Sequence, residues 1–309
     1  MFTSTREIRI ETSTVCNYNC TVCPRDSFVR NKEIMPQHLF EDIIGKCRKE
    51  LPEINTITIS GFGEFSADKC WRNKIIYAEQ FFDKINILSN MSLLSRTDLD
   101  FLSEHIQSMR ISLYGVDETS YATVHRPPKN ITYAEVRDKI KYLCTQEIRP
   151  LVLLNYLLLP ENRDSYKQWI SEWQNYADSL EVWKPHNWIE GRSYRSGCTH
   201  RKDTCGRPFK GPVQVQVDGT INVCCFDYNG ELEIGDLKLQ SFYEVFNSSR
   251  MKEIQQFHKK GLADRIPQCR VCDQRDCDEC KQENLVYSSN FTSSDRINKT
   301  STEYENLNL

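Results

Sequence analysis

The chain has 309 residues, 39% of them hydrophobic, with 40 Lys and Arg against 43 Asp and Glu for a net charge of −3. That is enough apolar material for a packed core in one or two domains and excludes wholesale disorder, while the near balance of charge speaks against a protein built chiefly to bind nucleic acid. The longest apolar run, residues 151–159, carries Asn155 and stops at Pro160, short of the ~18 residues of a membrane span. Residues 1–10 hold Arg and Glu where a signal peptide needs an apolar stretch. The chain therefore reads as cytoplasmic, with neither a membrane nor a nucleic acid as partner.

Residues 7–12 alternate apolar and polar, as a strand does. Pro36 suits the first turn of a helix over 36–51, in which Leu39, Phe40, Ile43, Ile44, Cys47 and Leu51 share a face. Strands at 54–60, 85–88, 109–114, 151–159 and 180–184 then alternate with helices at 75–82, 97–108, 133–145 and 165–179. Strand-then-helix units imply parallel strands with right-handed crossovers. Six strands rather than eight predict an open, partial (β/α)6 barrel of TIM-like type, with its site at the carboxyl ends of the strands. The 61–64 turn, Ser89-Asn90 and residues 185–188 fall at those ends.

After Gly191 the pattern changes. Residues 213–217 and 220–223 flank Asp218-Gly219 as a β-hairpin. A helix is predicted over 240–257, a cysteine-rich knot over 269–280, and polar chain from Ser288. The fold class is α/β: a partial-barrel domain over 1–190, a small cysteine-rich α+β domain over 191–285, and a disordered polar tail over 286–309.

Fourteen cysteines in a long chain without a signal peptide point to metal or iron–sulfur ligation rather than a disulfide scaffold. Cys16, Cys20 and Cys23 form a C-x3-C-x2-C run just after the first strand. Three thiolates on one loop can hold three corners of a cubic [4Fe–4S] cluster and leave one iron an open position for substrate or cosubstrate. A zinc site or a set of reduced thiols is the alternative. Cys47 and Cys144 fall on apolar helix faces, Cys70 has no partner in sequence, and all three read as core.

With this loop the sequence resembles the radical SAM superfamily, over roughly residues 7–190. The resemblance implies that S-adenosylmethionine chelates the open iron. It also implies that a flavodoxin- or ferredoxin-type protein supplies an electron, and that a 5′-deoxyadenosyl radical abstracts hydrogen from substrate. It extends to the turn Gly61-Phe62-Gly63-Glu64, similar to the family's GGE-type turn with Phe62 in place of a second glycine, whose backbone and carboxylate accept from the cosubstrate's ammonium. Ser89, Asn90 and Ser112 are implied contacts to its ribose or carboxylate, and Val22 stands beside the adenine where an aromatic is more usual. Asn155 in the fifth strand is a further polar candidate for the cosubstrate, and Arg126 for the site generally.

Cys205 and Cys224 enclose the hairpin, and Cys269-Arg-Val-Cys272 follows. Four such ligands can close around one cluster or one tetrahedral zinc. Together with residues 223–227 and 234–236 they resemble the SPASM/twitch extension of radical SAM enzymes and imply one auxiliary [4Fe–4S] cluster. The spacings after Cys272 depart from the full SPASM run, and a second auxiliary cluster drawing on Cys198, Cys277 and Cys280 stays open. Cys225, next to a ligand, is either a hydrogen donor to a substrate radical or a strand residue facing away. His186 and Asn187, at the end of the last strand, are candidate substrate or cosubstrate contacts, His186 a catalytic candidate with Cys225, the alternative for both being a hydrogen-bonded structural role.

The expected function is that of a radical SAM oxidoreductase carrying out a net two-electron dehydrogenation of a small polyhydroxylated molecule, sugar-like or aminocyclitol-like. The alternatives are an epimerase using Cys225, a peptide- or protein-modifying enzyme, and a non-catalytic iron–sulfur or zinc protein.

Overall fold

The computed structural model describes residues 5–188, 200–276, 285–289 and 302–303. Cys198, Cys277 and Cys280 lie outside them, as does most of the expected tail.

The first half alternates strands with helices: β1 (Glu7–Ile10), α1 (Gln37–Glu50), β2 (Thr56–Ile59), α2 (Trp71–Ala78), β3 (Lys84–Ser89), α3 (Arg96–His105), β4 (Ser108–Ser112), α4 (Glu118–His125), α5 (Tyr133–Cys144), β5 (Leu151–Leu157), α6 (Tyr166–Trp173) and β6 (Ser179–Trp183). Pro36 sits at the N-cap of α1 rather than inside its first turn, because its ψ of 147° is extended. Helix α4 has little apolar periodicity and escaped the sequence reading; a reciprocal capping box between Asp117 and Ser120 starts it. The second half contributes α7 (Arg207–Lys210), β7 (Val213–Val215), β8 (Thr220–Asn222), β9 (Glu233–Asp236), α8 (Phe242–Phe246), α9 (Ser249–Lys259), α10 (Pro267–Val271), β10 (Leu285–Ser288) and β11 (Thr302–Glu303). The single helix expected over 240–257 is two. The chain breaks at Asn247-Ser248, where Ser248 leaves helical geometry and its side chain accepts from the Met251 amide to cap α9.

The fold is α/β with mixed sheet, in two compact units. One comprises Met1–Val15, Asp26–Ile85 and His186–Lys281, the other Cys16–Arg25, Asn86–Pro185 and Gln282–Leu309. In the first unit the strand order is β2-β1-β7-β8-β9. Strand β1 lies parallel to β2, pairing Ile10 with Ile59, and parallel to β7, pairing Ile10 with Val215. The hairpin β7–β8 therefore continues the sheet of β1. Ile8, Ile10, Ile57, Val213 and Val215 are buried, as are Phe40, Ile43, Ile44 and Cys47 of α1.

In the second unit β3, β4, β5 and β6 are parallel neighbours. Strand β10 adds antiparallel to β6, so the segment expected to begin the tail opens as sheet. Ile111, Val152, Leu154 and Val182 are buried in these strands, and α3, α5 and α6 bury Leu102, Ile140 and Trp169. Across this apolar sheet runs one polar row, in register: Ser112, Asn155 and Glu181. The cysteines expected in the core divide. Cys47 is buried and Cys144 partly so, but Cys70 is exposed, because it caps the start of α2 instead of lying within a face. No helix among the described residues is long and apolar enough to cross a membrane.

Candidate functional site

The C-x3-C-x2-C loop belongs to the second unit, where α4 shapes it. The amides of Asn19 and Thr21 donate to the carbonyls of Arg126 and Val124 at 3.4 and 2.8 Å, and Cys23 closes a turn onto the Cys20 carbonyl at 3.1 Å. Arg126 ends α4 in the left-handed region, at φ 46°. Asn90, at the end of β3, reaches Cys16 Sγ at 3.8 Å and Asn17 Oδ1 at 3.1 Å through its amide. Its own oxygen accepts from Ser92 N and Oγ at 3.0 and 2.7 Å. The Tyr18 amide also donates to Cys16 Sγ, at 3.4 Å. Burial, then the charges of Cys23 and Cys16, push the Cys20 thiol far above its ordinary range. Three thiols that disfavour one another's anions in a shielded place are a donor set matched to a cationic group, so these residues fit an iron–sulfur cluster.

Behind the loop lies a group the sequence reading missed. His125 is 1% exposed. Its Nε2 accepts the Tyr114 amide at 2.9 Å, and its Nδ1 lies 3.5 Å from Cys20 Sγ. Burial lowers its pKa to about 3. The Tyr114 hydroxyl lies 3.1 Å from Ser112 Oγ and 3.5 Å from Asn155 Oδ1, which brings together two of the expected polar residues. Burial above all raises the Tyr114 pKa, and Cys20 and Cys23 add to it. Glu181 of the row that also holds Ser112 and Asn155 pairs with Arg110 and also accepts from Trp183 Nε1 at 2.7 Å. The available sequence signal was weak: Tyr121 and His125 stand four apart on α4, one turn of a single face. Val22 is buried in the loop, and Ser89 Oγ accepts from the Met91 amide at 2.9 Å.

The 61–64 turn belongs to the first unit. The Gly63 and Glu64 amides donate to the carbonyls of Ser13 and Val15 at 3.1 and 2.9 Å, so the turn is laced to the chain that runs into Cys16. A Cβ on Gly63 would stand 2.6 Å from the Val15 oxygen, and one on Gly61 would stand 2.7 Å from Glu11 Oε1. Close approach, to main chain at Gly63 and to the buried Glu11 side chain at Gly61, and not a left-handed φ, favours glycine at both. Glu11, 2% exposed, organises this region: it accepts from the Phe62 and Val217 amides at 2.9 and 3.2 Å and pairs with Arg30. Glu64 is buried, and its carboxylate accepts from Ser66 N and Oγ at 3.3 and 2.7 Å.

Also in the first unit, Cys205, Cys224, Cys269 and Cys272 line one cavity of about 110 Å³. Burial pushes Cys269 and Cys272 up to about 12, with Cys205 among the charges that add to it. Burial, then Cys225, raises Cys224. Burial opposes the charge of Arg207, but Cys225, Cys224, Cys205 and Cys272 outweigh it and raise its pKa. His258 Nε2 lies 3.5 Å from Cys269 Sγ, and Nδ1 lies 2.9 Å from Thr204 Oγ1. Met251, Ile254 and His258 are the buried face of α9, a histidine on an apolar stripe that the sequence could have disclosed. Among the described residues no three His, Cys, Asp or Glu converge to hold a single metal ion. Four cysteines lining one cavity are a donor set that fits a cluster in which each thiolate binds a different iron.

Cys225 is not among the residues lining that cavity. His186 Nδ1 accepts the Trp188 amide at 3.2 Å, and its ring centroid lies 4.1 Å from that of Phe226. Phe28, Phe62, Trp188 and Phe226 pack with Tyr228 and Cys272. Asn187 is engaged elsewhere: its amide and side chain bond Asp273 Oδ2 and the Val271 carbonyl, each at 2.8 Å.

The family model of the radical SAM superfamily matches residues 10–172, and that of SPASM, an iron-sulfur cluster-binding domain, matches residues 205–278. No curated protein matches the sequence. Among solved structures, BtrN in complex with AdoMet and 2-DOIA superposes with a TM-score of 0.59 at 15% identity, covering 88% of this chain and 94% of its own. Native anSMEcpe with bound AdoMet and Cp18Cys peptide gives 0.64 at 13%, covering 90% and 91%. SuiB of Streptococcus suis, bound to precursor peptide SuiA, gives 0.63 at 14%, covering 88% and 70%.

Proposed function

This chain belongs to the radical SAM superfamily, and on that premise we propose that it is an oxidoreductase that dehydrogenates a small polyhydroxylated molecule, a sugar or an aminocyclitol. The superfamily's cofactors are a [4Fe–4S] cluster and S-adenosylmethionine, and the SPASM domain adds auxiliary iron–sulfur ligation. When bound, these groups supply reductive cleavage of the sulfonium, hydrogen-atom abstraction by the resulting 5′-deoxyadenosyl radical, and a place for a second electron.

The protein's part is ligation, orientation and proton placement. Cys16, Cys20 and Cys23 hold the first cluster, and Asn90 and the Tyr18 amide steady Cys16. By resemblance to the family, Gly61, Gly63 and Glu64, and separately Val22, Ser89, Ser112 and Asn155, are assigned as cosubstrate contacts. Cys205, Cys224, Cys269 and Cys272 hold one auxiliary cluster. Residues 1–190 form the radical-generating module and 191–285 the auxiliary one. His186, whose Nδ1 accepts the Trp188 amide, is the residue assigned to contact substrate.

The observation that carries this reading is that Cys205, Cys224, Cys269 and Cys272 line one cavity. Four thiolates leave no open position on a cluster, which suits electron transfer rather than substrate ligation. Epimerisation with Cys225 as hydrogen donor is the second reading, supported by the place of Cys225 beside Arg207 and outside the cavity lining. The test is anaerobic incubation of reconstituted protein with dithionite, S-adenosylmethionine, and either aminocyclitols or peptides, in deuterated water. A ketone without deuterium supports dehydrogenation, and a deuterated isomer supports Cys225. Product from peptide alone rejects the small-molecule assignment, and absence of 5′-deoxyadenosine rejects the enzyme.

A further inference from the structure

We propose that His125 is a positioning residue for the radical-generating centre: its neutral imidazole donates Nδ1–H to Cys20 Sγ and raises the reduction potential of the cluster held there. This rests on the reading above that Cys16, Cys20 and Cys23 are the ligands.

Geometry fixes the tautomer. The Tyr114 amide can only donate, and it lies 2.9 Å from Nε2. Nε2 is therefore unprotonated, and the single proton of the neutral ring sits on Nδ1. Nδ1 lies 3.5 Å from Cys20 Sγ, within reach of a hydrogen bond to sulfur. A ligating thiolate has no proton to give, so the direction is from nitrogen to sulfur.

The ring is also held in place. It stacks on Tyr114, with centroids 4.6 Å apart and planes 15° apart, and it meets Tyr18 and Tyr121 at 5.7 and 4.7 Å. Tyr18 lies between Cys16 and Cys20 and shares a hydroxyl–hydroxyl hydrogen bond with Tyr121. The residues flanking His125 anchor the loop: the Val124 and Arg126 carbonyls take the Thr21 and Asn19 amides. The donor thus reaches its sulfur along a path fixed by main-chain bonds on both sides.

The chemical consequence has a definite sign. A reduced cluster carries one more electron, shared with its thiolates, so a donor to Cys20 stabilises the reduced state more than the oxidised one. Removing the donor lowers the potential.

The experiment is an EPR-monitored redox titration of reconstituted full-length protein, wild type against His125→Leu and His125→Asn. Asparagine places an N–H near the position of Nδ1 and leucine does not. In His125→Leu the reduced-to-oxidised ratio of this cluster at fixed potential should fall about tenfold, ~59 mV for a one-electron couple. His125→Asn should stay near wild type, and the auxiliary cluster should not move in either variant. No shift in His125→Leu, or an equal shift in both variants, overturns the proposal. If neither variant folds, pulsed EPR of wild type containing 15N-histidine decides. A weak coupling to an imidazole nitrogen supports the hydrogen bond, and its absence refutes it. Iron and sulfide analysis of Cys16→Ala tests the ligand assignment separately: unchanged iron there sinks that reading rather than the role of His125.

Discussion

Replacing Gly63 by alanine tests whether the 61–64 turn is held where the structure puts it. The new Cβ would stand 2.6 Å from the Val15 carbonyl oxygen, whereas ordinary contact begins at 3.4 Å. It would also press on the Ser13 carbonyl. Both obstacles are backbone, so no flexible side chain can swing aside, and the turn must withdraw by at least about 0.8 Å. Withdrawal stretches the Gly63–Ser13 and Glu64–Val15 hydrogen bonds of 3.1 and 2.9 Å. Overpacking costs roughly 1–3 kcal/mol, and two weakened backbone bonds add about 0.5–1.5 kcal/mol each. The total, roughly 2–6 kcal/mol, is a large share of a typical stability of about 5–15 kcal/mol. Anaerobic urea denaturation of the apoprotein should show it, and calorimetric titration of the reconstituted protein should show weakened S-adenosylmethionine binding. Gly45→Ala is the control: it sits in α1 with nothing within 4 Å of its Cβ, so it should stabilise by about 0.5–1 kcal/mol. Gly63→Ala within about 0.5 kcal/mol of wild type, with cosubstrate binding intact, would refute the argument.

Cys205→Ala or Cys224→Ala should reduce bound iron from about eight to about four atoms per chain, the content of one [4Fe–4S] cluster. Cys47→Ala should leave iron unchanged, and so should the Cys277→Ala/Cys280→Ala double variant if one auxiliary cluster is present. Colorimetric iron and sulfide analysis reads all of these. Glu11→Gln removes a buried charge facing Arg30 and should cost on the order of 3 kcal/mol in urea denaturation; a negligible loss would deny Glu11 its organising role. Burial disfavours the Asp178 charge, but hydrogen bonds from Arg149 and the Val152 amide outweigh it and hold its pKa below the usual 3.8. With the folded pKa depressed, its stabilisation is present above the unfolded value and is lost as pH falls through the folded one. Asp178→Asn should therefore destabilise at pH ~5, and the gap should narrow as the pH falls below the ordinary carboxylate range. A gap that widens on acidification contradicts the sign.

The linear spacing of Cys16, Cys20 and Cys23, the alternation of strand and helix, and the Asp218-Gly219 hairpin turn were all legible in the sequence. Each is a local matter: which side of an element is apolar, or how far apart ligands stand along one loop. Cys205, Cys224 and the 269–272 pair could be collected as candidates, but their meeting around one cavity joins segments tens of residues apart. Periodicity records that a face is buried without recording what buries it, so it could not show that β7 pairs with β1, some 200 residues away. For the same reason it could not show that the Asn187 amide donates to Asp273, 86 positions away. His125 reaches Cys20 across 105 positions of sequence. A hydrogen bond of that span follows from the return of α4 beneath the loop, and no pattern of neighbouring residues encodes it.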